Sequence, residues 1–339
     1  MFRATFYDRD RWREGVVGLG TDGRPQLRDE TPSPGARRLS GRVVGGFTDH
    51  HVHLQLVDHT LLASSRLGQV VDLGGDPTTV ARIAVHNSGE TAAGVAARAV
   101  SGAGEPDSPE LRTVSYAGAF LTPPGGYPSD RAWAPAGSVR EIPDSGAAEA
   151  AVAEMASAGA SCIKVASNST AGPVFSDALF RTIVERATAH GLPVVAHAEG
   201  PGEAQRVGVL GAARLAHAPF TEHLDDEEIA YQAAHVSWIS TLAIHDAAAR
   251  AVAVDNVARF HAAGGTVLYG TDMGNGHTPV DLNPAEVTAL RTAGLDDDTL
   301  LRALAPTDPL DHRSLLLLLP EGSVDPLSAR PLSPADLKV

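Results

Sequence analysis

The chain has 339 residues, too many for one small domain and enough for a single barrel of about 250 residues plus something smaller. Its 27 Lys+Arg against 41 Asp+Glu give a net charge of −14, a surface that repels nucleic acid and anionic membranes, so neither is an expected partner. The single cysteine, Cys162, excludes an intrachain disulfide, and no apolar run approaches the ~20 residues a membrane span needs, the longest being Leu315 to Leu319.

Taken in chain order, apolar β-branched runs alternate with Ala-rich helical stretches. Strands are predicted over residues 42–46 leading into 49–53, then 69–73, 113–120, 162–166, 193–197, 214–217, 236–242 and 266–270. Helices are predicted over 77–86, 92–99, 147–157, 177–190 with Asp177 as N-cap, 203–210, 225–234, 247–263, 284–293 and 298–303. The acidic cluster Asp225-Asp226-Glu227-Glu228 falls in a first helical turn, where the helix dipole favours it. Residues 31–41, 102–109 and 122–137 are rich in Pro, Gly and Ser and read as loops. Short strands that are apolar throughout, each followed by a helix, point to a parallel sheet covered on both faces. Eight such units fit a closed α/β architecture, a (β/α)8 TIM barrel. A doubly wound open sheet is the alternative, but no Gly-rich dinucleotide fingerprint follows an early strand. Cys162, inside an apolar strand, is expected to be a buried structural thiol. The charged N-terminus has no apolar stretch of signal-peptide length, so a soluble, cytoplasmic protein is expected.

Chemistry-bearing residues gather at the predicted strand ends. His51 and His53 lie two apart on an extended segment, so both side chains can point to one side and grip one ion. Alone, such a pair is a weak signal. His197 and His217 each end an apolar strand, Asp272 ends another, and Lys164 sits inside a fourth. Singly, each has an ordinary explanation: a satisfied core histidine, a helix-capping aspartate, a snorkelling lysine. Together they sit at the C-terminal ends of five of the eight strands, the face where barrel enzymes place their chemistry. Imidazole and carboxylate suit zinc, with other first-row divalent metals as alternatives.

This order of motifs resembles the amidohydrolase superfamily, and within it the imidazolonepropionase-like and Xaa-Pro dipeptidase-like branch. The resemblance runs over about residues 40 to 305. It is carried by Gly46-Phe47-Thr48-Asp49, by Gly159-Ala160-Ser161-Cys162-Ile163-Lys164-Val165, and by Phe175-Ser176-Asp177. It continues through Gly191-Leu192-Pro193-Val194-Val195-Ala196-His197, Leu215-Ala216-His217, Leu224-Asp225-Asp226-Glu227 and Gly270-Thr271-Asp272. It implies a metal-dependent hydrolase that cleaves a C–N bond in an amide, lactam or dipeptide. By resemblance, His51, His53 and Asp272 hold a first metal and His197 and His217 a second. Lys164 bridges the two as a carboxylated lysine (a carbamate), a hydroxide shared by the metals is the nucleophile, and Asp272 passes its proton to the leaving nitrogen. A small-molecule substrate and a homodimer are the partners usual for that family.

The resemblance also implies a small β-sandwich domain built from both termini, residues 1–47 plus 309–339, beside a hydrolase domain over 48–308. Here that small domain reads as reduced, its closing strand surviving only as Pro334-Ala335-Asp336-Leu337-Lys338-Val339. His50 alternates away from the pair formed by its neighbours and is not expected to be a ligand. Thr122, Tyr127, His245, Asn275 and His277 follow strands, and Tyr231 lies on the helix before one. Of these, Tyr127, His245, Tyr231 and Asn275 are candidates to touch substrate. Two alternatives stand beside the binuclear reading. One is a mononuclear deaminase or imidazolone-type ring hydrolase, although Glu199 falls one position earlier after His197 than deaminases place it, and Lys164 argues for two metals. The other is a catalytically inactive metal-binding protein, which no departure at the six positions favours.

Overall fold

A computed structural model describes residues 1–87 and 112–338. The terminal segments come together first. Strands β1 (Phe2–Tyr7), β2 (Trp12–Leu19), β3 (Pro25–Arg28) and β4 (Arg38–Gly45) pair with β15 (Leu316–Leu319) and β16 (Arg330–Pro331). They form one six-stranded sheet in the order β16-β15-β4-β1-β2-β3. Only β1 and β4 run parallel. Two expectations are corrected here. The loop read over residues 31–41 gives way at Arg38 to β4. The expected closing strand is instead a 3-10 turn, Pro334–Leu337, in which the Asp336 carboxylate accepts from the Ser333 N–H at 2.9 Å. Pro334 cannot donate to a ladder, so a turn is the cheaper use of that segment.

The leucine run shows how this sheet is joined to the rest. Successive side chains on a strand face opposite ways. Leu315, Leu317 and Leu319 pack into the large core, while Leu316 and Leu318 pack with Phe2, Phe6, Val17 and Leu337 in a second cluster. A strand with a core on each face has to be apolar at every position.

The remaining strands are parallel. β5 (Phe47–Val52), β6 (Leu67–Asp72) and β7 (Thr113–Tyr116) form one sheet. A second sheet is built from β8 (Phe120–Thr122), β9 (Val139–Glu141), β10 (Ile163–Asn168), β11 (Val194–Glu199), β12 (Arg214–Leu215), β13 (Ser237–Ile239) and β14 (Val267–Leu268). Its order is β14-β13-β12-β11-β10-β8-β9. The single strand expected over residues 113–120 is thus divided between β7 in one sheet and β8 in the other, while β9 had no counterpart in the strand pattern. At the opposite edge the His50 N–H donates to the Tyr269 carbonyl at 2.9 Å, and the His53 N–H to the Met273 carbonyl at 2.7 Å.

Helices α1 (Pro77–Asn87), α2 (Ser145–Ser157), α3 (Asp177–Ala189), α4 (Glu203–Val209), α5 (Asp226–His235), α6 (Ala247–Ala262), α7 (Pro284–Thr292) and α8 (Asp297–Ala303) fall where helices were expected. The cap of α3 is corrected by one residue: Ser176, not Asp177, accepts from the Leu179 N–H. Asp225 forms a reciprocal capping box with Glu228, leaving the other acids in the first turn of α5. The helix expected over 92–99 and the loop over 102–109 lie outside the described residues. Cys162 is buried, and burial pushes its thiol up to about 11, as suits an inert core residue. No helix among the described residues is long and apolar enough to cross a membrane.

Candidate active site

Strand pairing brings the site together. In β10 and β11 the paired residues are Lys164 with Val195, Ala166 with His197 and Asn168 with Glu199. Paired residues share a face, and so do residues two apart along a strand. Lys164, His197, Asn168 and Glu199 therefore project to one side. Lys164 also pairs with Phe120 of β8, which adds that ring to the same face. On β5, His51 and His53 point together, while His50 turns the other way and its Nδ1 meets the Tyr269 carbonyl at 3.0 Å.

These faces converge on a cavity of about 310 Å³. It is lined by His51, His53, Lys164, His197, His217 and Asp272, together with Phe120, Tyr127, Trp133 and Asn275. All six residues singled out as ligands thus meet in one place. Of the four proposed substrate contacts, Tyr127 and Asn275 line the cavity. His245 is not among the lining residues; it stacks on Phe220 at 4.1 Å and lies 6.3 Å from the His217 ring. Tyr231 does not reach it. It faces the α5 surface and stacks on His235, one helical turn onward, at 4.5 Å. His277 is exposed on the loop after β14 and is not among the lining residues, nor is Thr122.

The first cluster has a defined proton arrangement. His51 Nδ1 lies 2.8 Å from the Ala216 carbonyl, and His53 Nδ1 lies 3.0 Å from the Gly74 carbonyl. A carbonyl only accepts, so each Nδ1 carries the proton and each neutral ring presents Nε2 as a lone pair. The two Nε2 atoms are 3.3 Å apart and lie 3.2 and 3.1 Å from Asp272 Oδ1. Three buried acceptors face one another, and Asp272 Oδ1 has no well-aligned hydrogen-bond donor. Such a cluster requires positive charge at its centre. A proton can supply one unit: burial disfavours a charged His53, yet the adjacent Asp272 carboxylate outweighs it and raises that ring. Burial likewise opposes charge on Asp272, but the surrounding His51, His53 and His217 rings hold it well below the usual carboxylate range. A divalent cation satisfies all three acceptors at once, so the donor set fits a first-row metal.

The backbone accommodates this placement at a cost. Asp272 has φ +52°, a left-handed conformation unusual for a non-glycine residue. Asp49, buried beneath it, fixes the turn by accepting from the N–H groups of His51 and Thr271 and from the Thr271 hydroxyl. Gly74, whose carbonyl orients His53, is required to be glycine because a Cβ there would lie 2.1 Å from the Phe120 ring.

The second cluster is arranged otherwise. His217 Nδ1 pairs with the Thr241 hydroxyl at 2.9 Å. His197 Nε2 lies 3.0 Å from Glu199 Oε2, which also accepts from Asn168 Nδ2 at 2.7 Å. Lys164 is only 1% exposed and makes no ion pair with a carboxylate among the described residues. Burial lowers its amine to about 8, although the Asp272 carboxylate pulls the other way. A lysine in that state is in part a neutral nucleophile. The Tyr127 hydroxyl is pushed up to about 12, chiefly by burial, and remains a donor.

Sequence reasoning missed Phe120, Trp133, Glu199 as a His197 partner, and Asp49. For Phe120 the missing information is strand register; Glu199 lies two residues after His197 on the same strand face, so alternation could have found it. Trp133 could have been found as an aromatic in the long loop after the third strand. Asp49 stood in the quoted motif, two residues before His51 and so on the same strand face.

No protein-family profile matches the sequence, and no curated protein matches it. Solved structures do resemble its fold. A putative prolidase from Bifidobacterium longum is 20% identical with a TM-score of 0.68, over 96% of this chain and 90% of that one. An ochratoxinase from A. niger is 16% identical with a TM-score of 0.68, over 98% and 94%. An Xaa-Pro dipeptidase with methionine bound in its active site is 15% identical with a TM-score of 0.65, over 96% and 95%. A structure described as an amidohydrolase also aligns, at a TM-score of 0.63. The chain therefore shares the fold of these structures.

Proposed function

We propose that the protein is a metal-dependent amidohydrolase that cleaves a C–N bond in a small-molecule substrate. In this reading the parallel strands form a closed (β/α)8 barrel, and residues 1–47 plus 309–339 form a separate small β domain. The observation that carries the function is the convergence of His51 Nε2, His53 Nε2 and Asp272 Oδ1 without a donor among them, beside a buried Lys164 that makes no ion pair among the described residues. Its structural neighbours are described as a prolidase, an Xaa-Pro dipeptidase and an ochratoxinase.

His51, His53 and Asp272 would hold one divalent metal and His197 and His217 a second, zinc by preference, with carboxylated Lys164 between them. Bound metal supplies Lewis-acid polarisation of the substrate carbonyl and acidifies water for attack near neutral pH. The chain's own groups do the rest. Asp272 Oδ2 is held by Asn275 Nδ2 at 2.9 Å, which orients the carboxylate. Asp272 takes the proton of the attacking water and returns it to the nitrogen as the C–N bond breaks, so acid and amine leave with the proton accounted for. The protonated Tyr127 hydroxyl, on the cavity wall, is placed to donate to substrate. His245, whose ring lies 6.3 Å from that of His217, is proposed as a further polar contact.

A mononuclear site is the second reading, favoured by His197 Nε2, which is paired with Glu199. Metal content separates the two. Protein prepared with zinc and bicarbonate is expected to hold two equivalents per chain, and Lys164→Ala one or fewer. One equivalent in both proteins would make Lys164 structural and favour the deaminase or ring-hydrolase alternative. No metal in either would overturn the hydrolase.

A further inference from the structure

The loop between β8 and β9 contributes two of the three aromatic side chains that line the cavity, Tyr127 and Trp133; the third is Phe120 of β8. Trp133 packs edge-on against Phe120, with ring centroids 6.1 Å apart, and lies 6.1 Å from Tyr127. Phe120 in turn is 5.7 Å from the His53 ring, and Tyr127 is 5.2 Å from the His197 ring. The three form a continuous aromatic wall that spans from the first histidine cluster to the second. Trp133 keeps 41% of its surface exposed, one of few large apolar side chains that do so. An indole left open on the rim of a cavity is apolar area awaiting a partner.

The charges of the lining point the same way. Among the described residues that line the cavity, Lys164 is the single cation, and the hydrolase reading consumes it as a carbamate. Arg131 is not among the lining residues; its guanidinium lies over the Tyr127 ring at 5.7 Å and pairs with Asp130 at 3.2 Å. With Lys164 so used, the lining offers a substrate carboxylate no lysine or arginine to pair with, so any bound metal would be its sole cationic partner. The volume is also restrictive. A cavity of about 150 Å³ holds one benzene, so the 310 Å³ available here accommodates a ring, an amide and little more.

We propose that the wall of Phe120, Tyr127 and Trp133 receives an aromatic group next to the scissile bond, and that the substrates are uncharged aryl amides (anilides and their relatives) rather than peptides with a free carboxylate. This rests on the hydrolase reading above.

The test uses the zinc-loaded protein, calorimetry for binding and release of aniline or alanine for cleavage. Acetanilide is expected to bind at least about tenfold more tightly than alanyl-proline, the scale of one good aromatic contact. Trp133→Ala is expected to lose about that factor for acetanilide, and Trp133→Phe to recover most of it. Trp133 is on an exposed loop, so neither variant endangers folding. Equal or tighter binding of alanyl-proline, binding of neither probe, or unchanged acetanilide binding in Trp133→Ala would overturn the aryl subsite. An intact preference with no cleavage of either probe at full zinc occupancy would overturn the hydrolase reading and leave the subsite standing.

Discussion

The two halves of the site are held by different means. In the half formed by His51, His53 and Asp272, the orienting partners of both rings are backbone carbonyls, those of Ala216 and Gly74. A carbonyl neither titrates nor rotates away, so the rings have one tautomer and one orientation. In the half formed by Lys164, His197 and His217, the partners are side chains: Thr241 for His217 and Glu199 for His197. Thr241 itself sits at φ +44°, on a turn whose Leu242 and Ala243 N–H groups are held by the buried carboxylate of Glu286. The first half is therefore preorganised by the fold, while the second depends on groups that can change state. On the proposed hydrolase reading, the choice between one metal and two would be made in the second.

The largest expected effect tests the first half. Asp272→Asn keeps the shape but removes the charge on which both Nε2 atoms converge and the proton carrier of the proposed reaction. Turnover of acetanilide should fall by about 10²–10⁴-fold, with loss of the tighter zinc equivalent measured by equilibrium dialysis. Retention of both would show that the first half does not depend on its carboxylate. An intermediate effect tests the second half. Thr241→Val removes the hydroxyl that orients His217 Nδ1 and leaves the first half untouched. Partners of this kind are commonly worth 10–100-fold in metal affinity, so competition with a chelator should show the weaker zinc loosened by about that factor and the tighter one unchanged. Equal loosening of both would erase the distinction between the halves.

Much of this was legible in the sequence because the relevant physics is local. Alternation along a strand puts His51 and His53 on one side whatever the strand pairs with, and strand-terminal His197, His217 and Asp272 sit at the end where such folds gather chemistry. What was not legible depends on register or on loop path. Phe120 joins the site because it pairs with Lys164; Glu199 sits two residues past His197 on one strand face, and only its bond to Asn168 depends on the pairing. Tyr231 was placed near the site by its nearness in sequence to β13, but its position on α5 turns it to His235 instead. The terminal segments were harder still. Six short strands from both ends of the chain assemble through contacts far apart in sequence; Pro334, which cannot donate to a ladder, was the one local sign that its segment turns rather than extends.

The smallest expected effect concerns Glu286, on which the turn carrying Thr241 depends. It is fully buried, and burial raises its carboxyl to about 7 from an ordinary 4.5, although two backbone N–H groups favour the charged form. A carboxyl whose pKa is higher in the folded state binds more protons there than when unfolded. Its contribution to stability is therefore lost as pH rises between the unfolded value and about 7, and is flat above. Glu286→Gln has no such titration. The stability of the natural protein relative to this variant, from urea unfolding at several pH values, should decline from about pH 4.5 to about pH 7, with a slope no steeper than about 1.4 kcal/mol per pH unit. Over the same interval the weaker zinc should respond to Glu286→Gln and the tighter one should not, because only the second half hangs from that turn. A flat stability difference would show that the carboxylate is already ionised throughout, and that both halves are in effect fixed by groups that do not change state.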